Sequence, residues 1–108
     1  MPPDVTLEAI VDPSRRQILD TLSGGERPVQ TLVDLLPMSQ PRVSKHLRVL
    51  RQAGLVEARA EGQRRFYRVS PEPLMELDLW LEPYRQMWQR SLDRLEEQLD
   101  DNEKGKRQ

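Results

Sequence analysis

The sequence predicts a mainly α fold of about five helices with one small, two-stranded β-hairpin. Three observations carry this. Four segments between Thr6 and Gly54 place apolar residues at helical spacing and are separated by Pro, Gly and Ser. Two short alternating runs flank Glu61-Gly62-Gln63, and from Leu77 to Leu99 apolar residues recur every three or four positions.

The first helix spans Thr6 to Val11, with Leu7, Ile10 and Val11, and the Asp12-Pro13 pair stops it. Asp12 is an N-cap for the second helix, Pro13 suits its first turn, and Ile18, Leu19 and Leu22 form its stripe before Ser23-Gly24-Gly25 terminates it. The third helix, Val29 to Leu36, turns Val29, Leu32, Val33 and Leu36 to one side and ends at Pro37-Met38. Ser39 then caps a fourth helix that tolerates Pro41 in its first turn and runs to Gly54. Within it Val43, Leu47 and Leu50 face inward, which leaves Pro41, Ser44, Lys45 and Arg48 outward with Arg42 beside them.

Val56 to Ala60 and Arg64 to Ser70 read as the hairpin strands, with Tyr67 and Val69 on one face and Phe66 and Arg68 on the other. Two helices in tandem followed by a hairpin is the winged helix-turn-helix order. After Pro71 and Pro73 the chain enters a long amphipathic helix carrying Leu77, Leu81, Tyr84, Trp88, Leu92, Leu95 and Leu99, with Pro83 expected to kink it. The domain is expected to cover 1–100, with an association helix at about 73–100, and the apolar-free segment 101–108 is expected to be a disordered tail.

Composition narrows the function. At 108 residues, 36 % apolar and 32 % charged, with one Phe, two Tyr and two Trp, the chain has a thin core for a lone domain, which favours association. The absence of Cys excludes disulfides and thiolate metal sites. No membrane-length apolar run or signal-like N-terminus is present, so no membrane partner is expected and the cytoplasm is the default location.

A net charge of -1 conceals a strong internal asymmetry. Residues 42–68 carry eight Lys or Arg against two acids, whereas three Arg face six acids before them and six Lys or Arg face ten acids after them. The basic segment coincides with the fourth helix and the hairpin, which is the electrostatic footprint of a nucleic-acid surface.

The run from Asp12 through Pro-Ser-Arg-Arg-Gln-Ile-Leu-Asp-Thr to Leu22, then Ser39-Gln-Pro-Arg-Val-Ser-Lys-His-Leu-Arg-Val-Leu-Arg-Gln-Ala-Gly-Leu-Val56, resembles the ArsR/SmtB family of bacterial repressors. The likeness extends through Gly62 to Val69 as the wing, and Leu79 to Trp88 resembles the subgroup without metal sites. It implies a DNA-binding repressor, dimeric through its first and last helices, with its recognition helix at 39–53. Metal-sensing relatives place a Cys-x-Cys pair where this chain has Pro28 and Gln30, and the last helix lacks His, so no metal or other cofactor is implied.

The candidate DNA-contacting residues are Ser39, Gln40, Pro41, Arg42, Ser44, Lys45, His46 and Arg48 on the helix and Arg64 and Arg65 on the wing. Arg or Lys pairs with guanine and Gln with adenine in the major groove, while wing arginines grip phosphate or enter the minor groove. A merely solvated helix face and a charged hairpin tip that blocks edge pairing are the bland alternatives. Alternation puts Arg64 and Arg65 on opposite faces, so one of the two is expected to reach DNA. His46, the single histidine, reads as structural or phosphate-contacting rather than as a ligand or catalyst.

Ser44, Lys45 and His46 cannot converge as a catalytic set, because consecutive helical residues point ~100° apart. Leu7, Ile10, Leu81, Tyr84, Trp88, Leu92 and Leu95 are the candidate dimer interface. Trp80, Tyr84, Met87 and Trp88 admit an effector pocket as a second reading, although no particular small molecule is implied. The partners expected are therefore double-stranded DNA and a second copy of the chain. The alternative from another class is a winged-helix module that docks proteins through its last helix.

Overall fold

A computed structural model describes the backbone of residues 3–106 and the side chains of 3–102. Its elements in chain order are α1 (Asp4–Ile10), α2 (Pro13–Leu22), β1 (Arg27–Pro28), α3 (Val29–Leu35), α4 (Gln40–Gln52), β2 (Val56–Glu61), β3 (Arg64–Val69) and α5 (Glu72–Lys106). The chain divides into two compact units between Leu77 and Asp78.

The Asp12-Pro-Ser-Arg-Arg run has a local physical purpose. Asp12 Oδ1 accepts from the amides of Ser14 at 2.7 Å and Arg15 at 3.2 Å, which satisfies two free donors at the start of α2. Arg15 and Arg16 reach back and donate to the carbonyls of Ala9 at 2.5 Å and Ile10 at 2.8 Å, placing positive charge at the C-terminus of α1. One short motif thus ends one helix and begins the next.

The core of the first unit joins Ile18 and Leu22 of α2, Leu32 of α3, Val43, Leu47 and Leu50 of α4, and Leu55, Val56 and Tyr67 around the sheet. Burying each large aliphatic side chain contributes about 1.5–3 kcal/mol before entropy is counted, so this cluster fixes α4 against its neighbours. Ser39 accepts from the Arg42 amide at the N-terminus of α4. At its other end Gly54, at φ 76°, donates to Arg51 O at 3.0 Å while Leu55 donates to Leu50 O at 2.9 Å, the paired bonds of a Schellman cap.

The sheet has three antiparallel strands in the order β1-β3-β2, one more than the hairpin expected from sequence. Arg27 pairs with Tyr67 and Pro28 with Phe66. Two residues are too few to show alternation, and Pro survives there because β1 is an edge strand. In the hairpin, Glu61 pairs with Arg64 across a two-residue loop whose positive φ falls on Gly62.

Helix α5 is continuous through Pro83. Pro83 offers no N–H to the Leu79 carbonyl, yet the helix is not interrupted there. Its backbone is helical to Lys106, past residue 100 where the expected tail begins; residues 107–108 lie outside the described residues. Hydrophobic periodicity cannot detect a helix that continues through Asp101-Asn102-Glu103-Lys104-Gly105-Lys106, which has no apolar residue. Among the described residues, no helix is long and apolar enough to cross a membrane.

Candidate nucleic-acid interface

Helices α3 and α4 are joined by the turn at Leu36–Ser39, and the core contacts of Val43, Leu47 and Leu50 decide which side of α4 faces solvent. Gln40, Pro41, Arg42, Ser44, Lys45 and Arg48 are exposed on that side, as is Ser39 ahead of it. Arg51 and Gln52 extend the exposed surface toward the C-terminus of α4.

Of the two sequence readings of His46, structural or phosphate-contacting, its burial favours the first. Only 8 % of it is accessible, and its Nδ1 has no hydrogen-bond partner. Burial holds the imidazole below its ordinary value, and Arg15, Arg42 and Lys45 reinforce that against the opposing pull of Asp12. The ring is therefore neutral at pH 7 and packs beneath the helix, away from the exposed face. Its position on the edge of the apolar stripe left burial undecided in the sequence.

Between α4 and the wing lies a groove of about 450 Å³, in which Gln40, Ser44, Arg48 and Arg51 face Arg64 and Arg65. No carboxylate lines it. Among the described residues none of Arg42, Lys45, Arg48, Arg51, Arg64 and Arg65 pairs with a carboxylate. Arg51 and Gln63, which also lines the groove, are absent from the sequence-derived candidates. Arg51 could have been found there, since it continues the 42, 45, 48 series.

The other face of the hairpin differs in charge. Arg68 donates to Glu57 at 2.6 Å, and Arg59 pairs with Glu26 at 2.6 Å and with Glu61 at 2.9 Å. The hydrogen bond from Arg59 pulls the Glu26 carboxyl below its ordinary range, and the one from Arg68 does the same to Glu57. Strand alternation therefore separates the neutralised Arg59 and Arg68 from the free Arg65, whereas Arg64 shares the face of the neutralised pair and is left free at the hairpin tip.

Residues 12–58 match the family model for bacterial regulatory proteins of the arsR family. The chain is 40 % identical over 90 residues to the HTH-type transcriptional regulator Rv2034 of Mycobacterium tuberculosis, covering 83 % of this chain and 81 % of that one. The protein belongs to the arsR family. It is a DNA-binding transcriptional regulator with a winged helix-turn-helix fold, and not an enzyme.

Other similarities agree. The Transcriptional repressor SdpR of Bacillus subtilis is 34 % identical over 74 residues, which cover 68 % of this chain and 82 % of that protein. The ArsR-like Transcriptional Regulator from Rhodococcus sp. RHA1 superposes with a TM-score of 0.70 at 28 % identity, over 88 % of this chain and 90 % of that structure. Within this arsR-family regulator, no group of three His, Cys, Asp or Glu side chains that could hold a metal ion occurs among the described residues.

The candidate dimer residues fall into two classes. Tyr84, Trp88, Leu92 and Leu95 are exposed, together with Leu79, Met87 and Leu99 on the same helix. Leu81 is half-buried, as are Leu7 and Ile10, the latter packed against the core. The exposed apolar side chains at the two ends of α1 are Val5, in its first turn, and Val11, its C-cap.

Proposed function

We propose that the protein represses transcription as a homodimer that places two copies of α4 in successive major grooves of a pseudo-palindromic operator. The wings lie on the flanking backbone. The carrying observation is the carboxylate-free groove between α4 and the wing, in which every cation is left for phosphates or bases. Ser39, Gln40, Pro41, Arg42, Ser44, Lys45 and Arg48 form the helical part of the contact and Arg64 and Arg65 the wing part, with Arg51 added. His46 is assigned to the support of α4 rather than to contact.

Dimerisation follows from what one copy leaves uncovered. The stripe Tyr84, Trp88, Leu92, Leu95 and Leu99 is exposed along one side of α5 with Met87 at its margin, and an apolar surface of that length calls for a partner. A second copy supplies the same stripe by symmetry, and it also supplies the second half-site reader. On the first unit, Leu7 and Ile10 of α1 are also assigned to association, with the exposed Val5 and Val11 beside them. The domain assigned to this function is residues 1–100, with its association helix from about residue 73.

A salt series of titrations against the DNA upstream of the protein's own gene, with sedimentation of the free protein, tests the assignment. A dimer that binds one upstream site about 10³-fold or more above random duplex supports it. A monomer with uniformly weak, sequence-blind retention refutes it.

A further inference from the structure

The outer face of the hairpin pairs its charges differently from what strand register alone would give. Register sets Glu57 opposite Arg68, Arg59 opposite Phe66, and Glu61 opposite Arg64. Glu57 and Arg68 do pair. Glu61 does not pair with Arg64, because Arg59 Nη1 donates to Glu61 Oε2 at 2.9 Å. Arg59 Nε also donates to Glu26 Oε1 at 2.8 Å, and its guanidinium lies 4.5 Å from the centroid of the Phe66 ring.

Two carboxylates and an aromatic ring thus fix Arg59. Arg64 lies 5.5 Å from the same centroid and has no carboxylate partner among the described residues. A directly opposite pair of unlike charges on neighbouring strands attracts, so Glu61 is the group that would neutralise Arg64 if nothing else held it. We propose that Arg59 is a positioning residue for DNA binding, which occupies Glu61 and so leaves Arg64 at the wing tip free to take a phosphate.

This inference rests on the wing contact proposed above. Glu26 is the second half of the device, because it holds Arg59 from the turn before β1, 33 residues away in sequence. Arg59 is already held at all three guanidinium nitrogens by Glu26 and Glu61, so the proposal assigns it no DNA contact of its own. Removing its charge therefore acts through Glu61.

The test is a double-mutant cycle in operator affinity at 0.15 M salt, with Arg59→Gln, Glu61→Gln, both together, and Arg64→Ala. Arg64→Ala should weaken binding about five-fold per wing, the salt release of one phosphate contact. Arg59→Gln should lose a similar factor. Adding Glu61→Gln to Arg59→Gln should restore affinity to within about two-fold of wild type, while Glu61→Gln alone changes it by less than about two-fold.

A loss in Arg59→Gln that Glu61→Gln does not rescue overturns the proposal, and so does an equal gain from Glu61→Gln in both backgrounds. Misfolding of Arg59→Gln belongs with the first result, because a second substitution at Glu61 would not repair it. Arg64→Ala with wild-type affinity refutes the wing reading itself. Arg64→Ala weakened beside an unaffected Arg59→Gln refutes only the role of Arg59.

Discussion

Arg65 and Arg68 lie three residues apart on β3 and project to opposite faces of the hairpin, which makes them a matched pair of probes. Replacing either by Gln changes the net charge equally. Arg65 stands opposite Ala60, lines the groove and has no carboxylate partner, whereas Arg68 is bound to Glu57 at 2.6 Å. One phosphate contact contributes about 0.9 to the slope of log affinity against log salt, which at 0.15 M is about five-fold in affinity, or about 1 kcal/mol. With one wing on each half-site, Arg65→Gln should lower the slope by about 1.8 and the affinity by about 30-fold at that salt. Arg68→Gln should change the slope by less than about 0.5. Fluorescence anisotropy with a labelled operator duplex across a potassium chloride series reads both quantities. Equal slopes for the two variants would mean that only net charge matters, and the division of the hairpin's arginines into neutralised and DNA-contacting ones would be wrong.

Trp88 is 54 % exposed in the single chain, so Trp88→Ala should leave the protomer folded yet weaken association by about 2 kcal/mol or more, as for an interface hot spot. Sedimentation should show dissociation at concentrations where wild type is dimeric; an unchanged dimer would place the interface elsewhere. Gly54→Ala forces a side chain into φ 76° at the cap of α4 and should cost about 1–2 kcal/mol, read as a lower midpoint in urea without a change in slope. The depressed His46 imidazole favours the neutral folded form, so its contribution is complete above the unfolded value of 6.5 and declines as pH falls below it. His46→Gln should flatten the stability profile as pH falls below 6.5, and a profile as steep there as that of wild type would exclude His46 as its source.

The helices were legible because their signals are local. Ser39 and Gly54 bracket α4 with cap chemistry, and Val43, Leu47 and Leu50 mark its inner side, so the outward face followed by rotation alone. Strand alternation likewise separated Arg64 from Arg65. Strand β1 was not legible, since Arg27 and Pro28 carry no period and are ordered by pairing with Tyr67 and Phe66 about forty positions later. His46 lies where a rotation of a few degrees decides burial, and only the packing of α2 against α4 settles it. The end of α5 escaped for the opposite reason, because a helix without an apolar face leaves no periodic trace.

The distribution of charge explains how an acidic protein presents a basic surface. The whole chain carries -1, yet a duplex approaching α4 and the wing meets arginines whose only available counter-charges are its own phosphates. Sequence counting finds the excess of cations in residues 42–68 but cannot say which of them are already spoken for. That depends on Glu26, which lies outside the segment and captures Arg59, and on the register that joins Glu57 to Arg68. Both captured arginines sit on the side of the hairpin away from the groove. Folding thus takes Arg59 and Arg68 out of use, and on the proposed DNA-binding reading it leaves Arg64, Arg65 and the cations of α4 for phosphate. If that reading holds, a surface with fewer free cations restrains sequence-blind binding and ties the electrostatic attraction to the α4 contact in which bases are read.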